Sequence, residues 1–274
     1  MSDPDSPAGR DRPVAAVRRE GIGRNPQANS GAYRILPAGD AAIVIEFGDS
    51  IDRNINSQVL ALAHRLNQVH LEGIIEYVPT FRSLMVHYDP GCLATSTLTA
   101  HIIGLMQDLQ FRETPGRRWH LPVCYDRQVA PDLDEVALRT ELSPAQVVEA
   151  HSAVTYHVYM LGFLPGMAYL GDLPAALVLP RLATPRLRVP AGSLAIATTM
   201  TCIIPLETPS GWHLIGRSPV SFLQWRPHPE ALLAAGDTIN FVPVSLDEYE
   251  LLSARSASGK LSMTPVGEVT EEAT

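Results

Sequence analysis

Thr155-Tyr156-His157-Val158-Tyr159-Met160-Leu161-Gly162-Phe163-Leu164-Pro165-Gly166-Met167-Ala168-Tyr169-Leu170-Gly171 is where the texture of this chain changes. From Thr155 onward, short apolar runs alternate with Gly and Pro clusters about every eight to twelve residues, a rhythm of many short strands. The reading is an all-β sandwich or barrel. Expected strands cover 156–161, 193–197, 201–205, 213–215, 220–223 and 238–242.

Upstream, the pattern is periodic rather than punctuated. Ala41 to Phe47 is a β-branched run and predicts a strand. Asp52 can cap a helix over 53–70, with Ile55, Val59, Leu62, Ala63, Leu66 and Val69 on one face. Gly73 stops it. Two strands, 74–78 and 83–88, are joined by Pro79-Thr80-Phe81-Arg82. Leu98, Ile102, Leu105, Met106 and Leu109 mark a second amphipathic helix. This order predicts a small α+β layer over residues 31–113, with helices on one sheet face. After a linker at 113–118 come a strand at 119–125 and helices at 132–141 and 143–151, the second with Pro144 at its first helical position. The expected architecture is thus an α+β N-terminal domain followed by an all-β domain over 117–250. Residues 1–30 read as a disordered arm and 251–274 as a flexible tail, because neither carries enough apolar surface to offset ordering.

Composition narrows the function. The chain has 274 residues, 46% hydrophobic, and a formal charge of −8, which excludes binding to nucleic acid through phosphate neutralisation alone. The basic residues are arginines except for Lys260. A Schiff-base lysine, a covalently biotinylated lysine and a P-loop lysine are therefore excluded over 1–259. Cys92, Cys124 and Cys202 are far apart, so neither a metal site nor a disulfide framework is expected, and a reducing cytoplasm fits. No apolar run is long enough to span a membrane.

The segment 155–226 holds two acids, Asp172 and Glu207, against Arg181, Arg186, Arg188, Arg217 and Arg226. Guanidinium groups on loops suit a carboxylate or phosphate, although such residues also brace loops. Three turn-rich motifs share this segment: 162–171, 184–193 and 205–219. Such loops can turn backbone N–H groups toward an anion.

These motifs, in this order, resemble the carboxyltransferase-domain family that contains the 5-oxoprolinase B subunit, KipI and allophanate hydrolase subunit 1. Further landmarks agree. They are Gly39-Asp40, Phe47-Gly48-Asp49, Ile51-Asp52, Asn56, Val78 to Leu84, Tyr88-Asp89-Pro90, Pro122 to Tyr125, Pro131-Asp132-Leu133 and His151-Ser152. The likeness runs from about residue 33 to residue 250.

The resemblance implies a cyclophilin-like β-barrel for the second domain. It implies the B-type component of an ATP-dependent 5-oxoprolinase, which opens 5-oxo-L-proline to L-glutamate as ATP becomes ADP and phosphate. Its partners would be a C-type carboxyltransferase subunit and an A-type subunit. ATP, with Mg, would sit at a subunit interface. Two alternatives share the likeness: a KipI-like inhibitor of a sensor histidine kinase, and a diverged urea- or allophanate-type carboxyltransferase component.

Candidate site residues follow. Arg217, beside Gly216, is the leading anion ligand; Arg186 and Arg188, separated by one residue, would point the same way if that stretch is extended, to bind an anion or to brace the loop. His151 and Glu207 are candidates for proton transfer or positioning; a hydrogen-bonded core histidine and an ion-paired glutamate are the simpler alternatives. Tyr159 and Tyr169 are candidate pocket residues. The chain also departs from the family pattern. Thr198, Met200, Cys202 and Ile204 replace a Gly, a Gln, a Gly and a Tyr, and Met167-Ala168 replaces Phe-Pro. An amide and a phenol are lost, both hydrogen-bonding groups.

Overall fold

The computed structural model describes residues 33–108, 116–225 and 229–266. The first unit comprises β1 (Arg34–Pro37), β2 (Ala42–Glu46), α1 (Arg53–Val69), β3 (Ile74–Pro79), β4 (Ser83–Tyr88) and α2 (Thr95–Asp108). Its sheet is antiparallel in the order β1-β2-β4-β3. Asp52 starts α1 as the sequence predicts. Its backbone is extended, and its carboxylate accepts from the N–H groups of Asn54 at 2.8 Å and Ile55 at 3.1 Å. Val59, Leu62 and Leu66 of α1 then meet Ile43, Ile45, Leu84, Val86, Leu98 and Ile102 in one core.

The second unit begins with β5 (Arg118–Cys124), α3 (Leu133–Thr140), α4 (Pro144–Ser152), β6 (Thr155–Leu161) and β7 (Ala168–Leu170). It continues through β8 (Arg186–Val189), β9 (Ser193–Ala197), β10 (Met200–Ile203), β11 (Thr208–Ser210) and β12 (His213–Arg217). β13 (Leu223–Trp225), β14 (Pro229–Ala231), β15 (Thr238–Val244) and α5 (Leu246–Ala257) complete it. Seven strands close a barrel in the order β10-β7-β6-β15-β5-β12-β9. β15 runs parallel to β5, from Thr238 beside Arg118 to Val244 beside Cys124. The carboxylate of Asp237 pins this junction, accepting from the N–H groups of Arg117 and Ala234, the guanidinium of Arg117 and the indole N–H of Trp119, each at 2.9–3.0 Å. The interior is filled by Trp119, Leu121, Tyr156, Val158, Leu194, Ile196, Ile203, Ile215 and Phe241, with Val136 of α3 and Val147 of α4 packed into it.

Ser143 begins α4 through a reciprocal cap. Its hydroxyl accepts from Gln146 N at 3.2 Å, and its own N–H donates to Gln146 Oε1 at 2.8 Å.

Several expectations need correction. Residues 251–257 are helical rather than a flexible tail. Ser245 caps α5 by accepting from Glu248 N, an N-cap signal with no periodic apolar run behind it to draw attention. Beyond the helix, Leu261 and Met263 pack on the barrel core, and Val266 N donates to Arg118 O at 2.7 Å. The strand expected at 220–223 lies instead at β13; Val220 and Phe222 are buried outside any strand, so apolar content there marks packing and not pairing. β1, β7, β8, β11 and β14 have no counterpart in the sequence expectations, being three or four residues long beside Pro or Gly. The arm at 1–30 and the tail beyond 266 lie outside the described residues.

Candidate functional site

The strands of the barrel present two faces, because successive side chains point opposite ways. On β9 and β10, Leu194, Ile196 and Ile203 join the interior, whereas Ala195, Ala197 and Cys202 join a separate outer cluster. That cluster also holds Met167, Val189, Ile204, Trp212 and Leu214, with Leu164, Tyr169 and Met200 half-buried at its rim. Cys202 lies opposite Tyr169 on one side and Ala195 on the other. The departures from the family pattern at Met200, Cys202 and Ile204 therefore all line this one outer face.

An aromatic strip crosses it. Tyr169 stands 6.1 Å from Trp212 and 6.0 Å from Phe81, both edge-on, and Phe81 lies 5.7 Å from Tyr159. The exposed guanidinium of Arg181 lies 5.8 Å from the Trp212 ring centroid. Phe81 comes from the β3–β4 turn of the first unit, so the strip joins both units.

Asn56 holds that junction. It is fully buried on α1, and its amide donates to Thr80 O at 3.0 Å and Tyr159 O at 3.1 Å. Its carbonyl oxygen accepts from His157 Nε2 at 2.9 Å. Arg53 adds an ion pair with Asp172 at 2.7 Å. Burial pushes the phenol of Tyr169 up, and that of Tyr159 up to about 12, so both are neutral donors at neutral pH. Burial likewise pushes the Cys202 thiol up, so it is no thiolate nucleophile.

Tyr159 and Tyr169 lie in the aromatic strip, and the other sequence-predicted residues fall into three groups. The first is engaged elsewhere. Arg188 makes a two-pronged pair with Glu207, at 3.0 and 3.1 Å, in the open. Arg186 pairs with the buried carboxylate of Asp132, whose other oxygen accepts from the Leu214 N–H. Arg186 and Asp132 thus tie β8 to β12, and both arginines act as braces.

The second is His151, fully buried inside the barrel. Thr201 Oγ1 donates to Ala195 O, so it accepts from His151 Nε2 at 3.1 Å, and Nδ1 accepts from the Tyr125 hydroxyl at 3.0 Å. The ring stacks on Phe241 at 5.1 Å. Burial lowers its pKa to about 3. With both nitrogens engaged and no exposed surface, its geometry is that of a packed core residue.

Arg217 and Gly216 form the third. A Cβ on Gly216 would lie 2.8 Å from Val123 Cγ1 and 3.1 Å from Cys124 O, so glycine allows β12 to press on β5. Gly192, at φ +81, could not carry a Cβ without meeting Ser218 O at 2.4 Å, which brings the 190–193 turn against Arg217. Arg217 Nε donates to Ala191 O at 2.9 Å. Among the described residues no carboxylate pairs with Arg217 or with Arg181, leaving both cations with charge to offer. They do not converge. Arg217 ends β12, five residues from Trp212, or roughly 16 Å along the strand.

Asn56, Phe81 and Asp132 are site-building residues that the sequence did not single out as candidates, and it marked Arg181 only as one of five arginines. A signal existed for Asn56, a polar residue on the apolar face of α1. Phe81 and Asp132 lie within two of the landmarks that carry the family likeness, but their roles stay hidden because their partners lie in distant segments.

The sequence pattern of the carboxyltransferase domain, subdomain C and D, matches residues 33–233. A 5-oxoprolinase B subunit of Bacillus subtilis is 36% identical over 235 residues, which is 82% of this chain and 98% of that protein. A 5-oxoprolinase B subunit of Escherichia coli O157:H7 is 37% identical over 206 residues, covering 75% and 93%. Among solved structures, TTHA0988 superposes with a TM-score of 0.67 at 36% identity. The match covers 74% of this chain but 40% of that one, so this chain spans less than half of that longer polypeptide.

Proposed function

This chain belongs to the carboxyltransferase domain family, subdomain C and D, and from that membership we propose that it is the B-type component of an ATP-dependent 5-oxoprolinase. The observation that carries the reading is near-complete coverage of two bacterial B subunits, at 36–37% identity. Among the described residues no helix is long and apolar enough to cross a membrane. The three free cysteines fit a cytoplasmic setting. In this reading the closed barrel would take the place of the cyclophilin-like domain that the family likeness implies.

The chemistry sets what the site supplies. A lactam is an unstrained amide and a poor electrophile. In the proposed course its oxygen takes the γ-phosphoryl group of ATP, releasing ADP. Water adds to the activated carbon and the C–N bond breaks with a proton passing to nitrogen, leaving an acyl phosphate; a second water then hydrolyses it, releasing phosphate and giving L-glutamate. The substrate carboxylate and the transferring phosphoryl group both need cationic or N–H partners. Arg217 is the proposed anion ligand, placed by Gly216 and Gly192, and Arg181 is a second cation beside Tyr169. Arg186 and Arg188 brace the loops, and Glu207 neutralises Arg188. Arginines and backbone N–H groups fit the phosphates of ATP. No cluster of three His, Cys, Asp or Glu side chains on the described residues fits a magnesium ion, and none is assigned. With Arg217 and Arg181 apart, the reading is a composite site completed by the C-type subunit, with the A-type subunit supplying the remainder.

Arg217→Ala tests this in a complex reconstituted with A-type and C-type subunits. Turnover falls about 10²–10³-fold, the loss typical of one charge-stabilising donor, while thermal unfolding of the isolated chain is unchanged. Full turnover in the variant would remove Arg217 from the site.

A further inference from the structure

An irregularity in β12 decides which way Arg217 points. In a regular strand, His213, Ile215 and Arg217 would share one face. His213 lies opposite Ile196, and Ile215 joins the barrel core, so that face is the interior. An unbroken β12 would therefore turn Arg217 into an apolar barrel. The register shifts instead. Leu214 lies opposite Ala195 and Gly216 opposite Leu194, so β12 spends one residue more than β9 over the same step. Beyond this bulge the alternation is reversed. Arg217 lies opposite Ser193, on the face that Ala195 and Leu214 share. A bulge of this kind re-aims a side chain while interrupting the ladder of hydrogen bonds.

Asp132 supplies what the ladder lacks at that point. Toward β5, β12 is paired where Arg217 lies opposite Cys124 and, among the described residues, at no earlier position. Leu214 N donates to Asp132 Oδ2 at 2.6 Å, and Asp132 N donates to Leu214 O at 3.0 Å. One aspartate thus closes both backbone groups at the bulge, as a neighbouring strand would. Asp132 stands at the N-cap of α3, yet its side chain makes no capping bond to that helix. A residue type suited to capping has its carboxylate turned to β12 instead. The carboxylate is buried, and its other oxygen accepts from Arg186 Nη2, which offsets the cost of a buried charge. Gly216 lets the bulged strand lie against Val123 and Tyr125.

We propose that Asp132 is a positioning residue for Arg217: it holds the β12 bulge, and the bulge keeps the guanidinium outside the barrel, available to an anionic substrate. Arg186 acts one step further back, by fixing Asp132. The inference rests on the reading of Arg217 as the anion ligand of a 5-oxoprolinase component. It adds that the direction of this ligand is set from the start of α3 and not by β12 alone. Without that support the end of the strand relaxes, and Arg217 is misplaced although it is still present and still charged.

The test is a double-mutant cycle on kcat/KM for 5-oxo-L-proline, in the complex reconstituted with A-type and C-type subunits. Asp132→Asn keeps an oxygen for the Leu214 N–H but removes the charge that pairs with Arg186. The expected result is kcat/KM lowered about 10- to 100-fold by Asp132→Asn, the cost of a small misplacement. Added to Arg217→Ala, the same substitution should give no further loss, because its effect passes through a guanidinium that is already gone. Arg186→Lys should give a smaller loss with the same dependence on Arg217, and it carries the test if thermal unfolding shows the Asp132→Asn chain to be misfolded. Wild-type kcat/KM in Asp132→Asn, or losses that multiply in the double variant, would overturn the proposal and leave Arg217 in its role. Full activity in Arg217→Ala would remove Arg217 from the site and leave Asp132 nothing to position. No turnover by the wild-type complex would remove the 5-oxoprolinase reading, and this proposal with it.

Discussion

His151 shows how one buried residue couples folding to pH. Folded, its imidazole is held neutral, with its pKa lowered to about 3 by burial; unfolded, it titrates near 6.5. Between those values the unfolded chain binds the extra proton, so stability falls as pH drops from about 6.5 toward 3. The slope is at most about 1.4 kcal/mol per pH unit from this group. Urea unfolding across pH 7 to 4 should show that decline, and His151→Gln should flatten it. An unchanged slope in the variant would mean that the ring is not buried neutral. The two arginine pairs make a second contrast. Asp132→Ala strands Arg186 and the Leu214 N–H, and should cost about 3–5 kcal/mol in urea unfolding. Arg188→Ala breaks an exposed pair and should stay within about 1 kcal/mol. Three of these four residues are legible as site candidates in the sequence. Which carboxylate each arginine meets is not, since Asp132 lies 54 positions from Arg186.

At the scale of elements, the legible signals are local ones. Asp52 and Ser143 announce their helices because a cap and its N–H targets are three residues apart or fewer. The apolar runs of β6 and β9 announce strands that are buried on at least one face. β7, β8 and β11 stay hidden because three or four residues beside Pro or Gly carry no period to read. Packing between elements is equally hidden. Asn56 is the clearest case, since a helix on one unit uses its amide to hold Thr80 and Tyr159 together. Asn56→Ala leaves those carbonyls and the His157 N–H short of a partner, a loss of about 2–4 kcal/mol in urea unfolding. Faster proteolysis between the units should accompany it. An Asn56→Ala chain as stable and as protease-resistant as wild type would show that the aromatic strip alone holds the junction.

For the molecule as a whole, the lysine-free character of residues 1–259 acquires a structural meaning. Arg186 and Arg188 are braces, whereas Arg181 and Arg217 carry charge that no described carboxylate pairs with. Arg217 ends β12, whereas Arg181 lies on Trp212 of the outer cluster, and the β6–β7 hairpin presents a strained, exposed Phe163. That pattern fits a component whose site is finished by another chain. The most direct check is reconstitution from purified chains. This protein is combined with the A-type and C-type subunits of the same genome, and phosphate release is followed with ATP in the presence and absence of 5-oxo-L-proline. Release should require 5-oxoproline, yield one glutamate per phosphate and disappear when this chain is omitted. A stable three-component complex with no 5-oxoproline-dependent release, or release that persists without this chain, would contradict it.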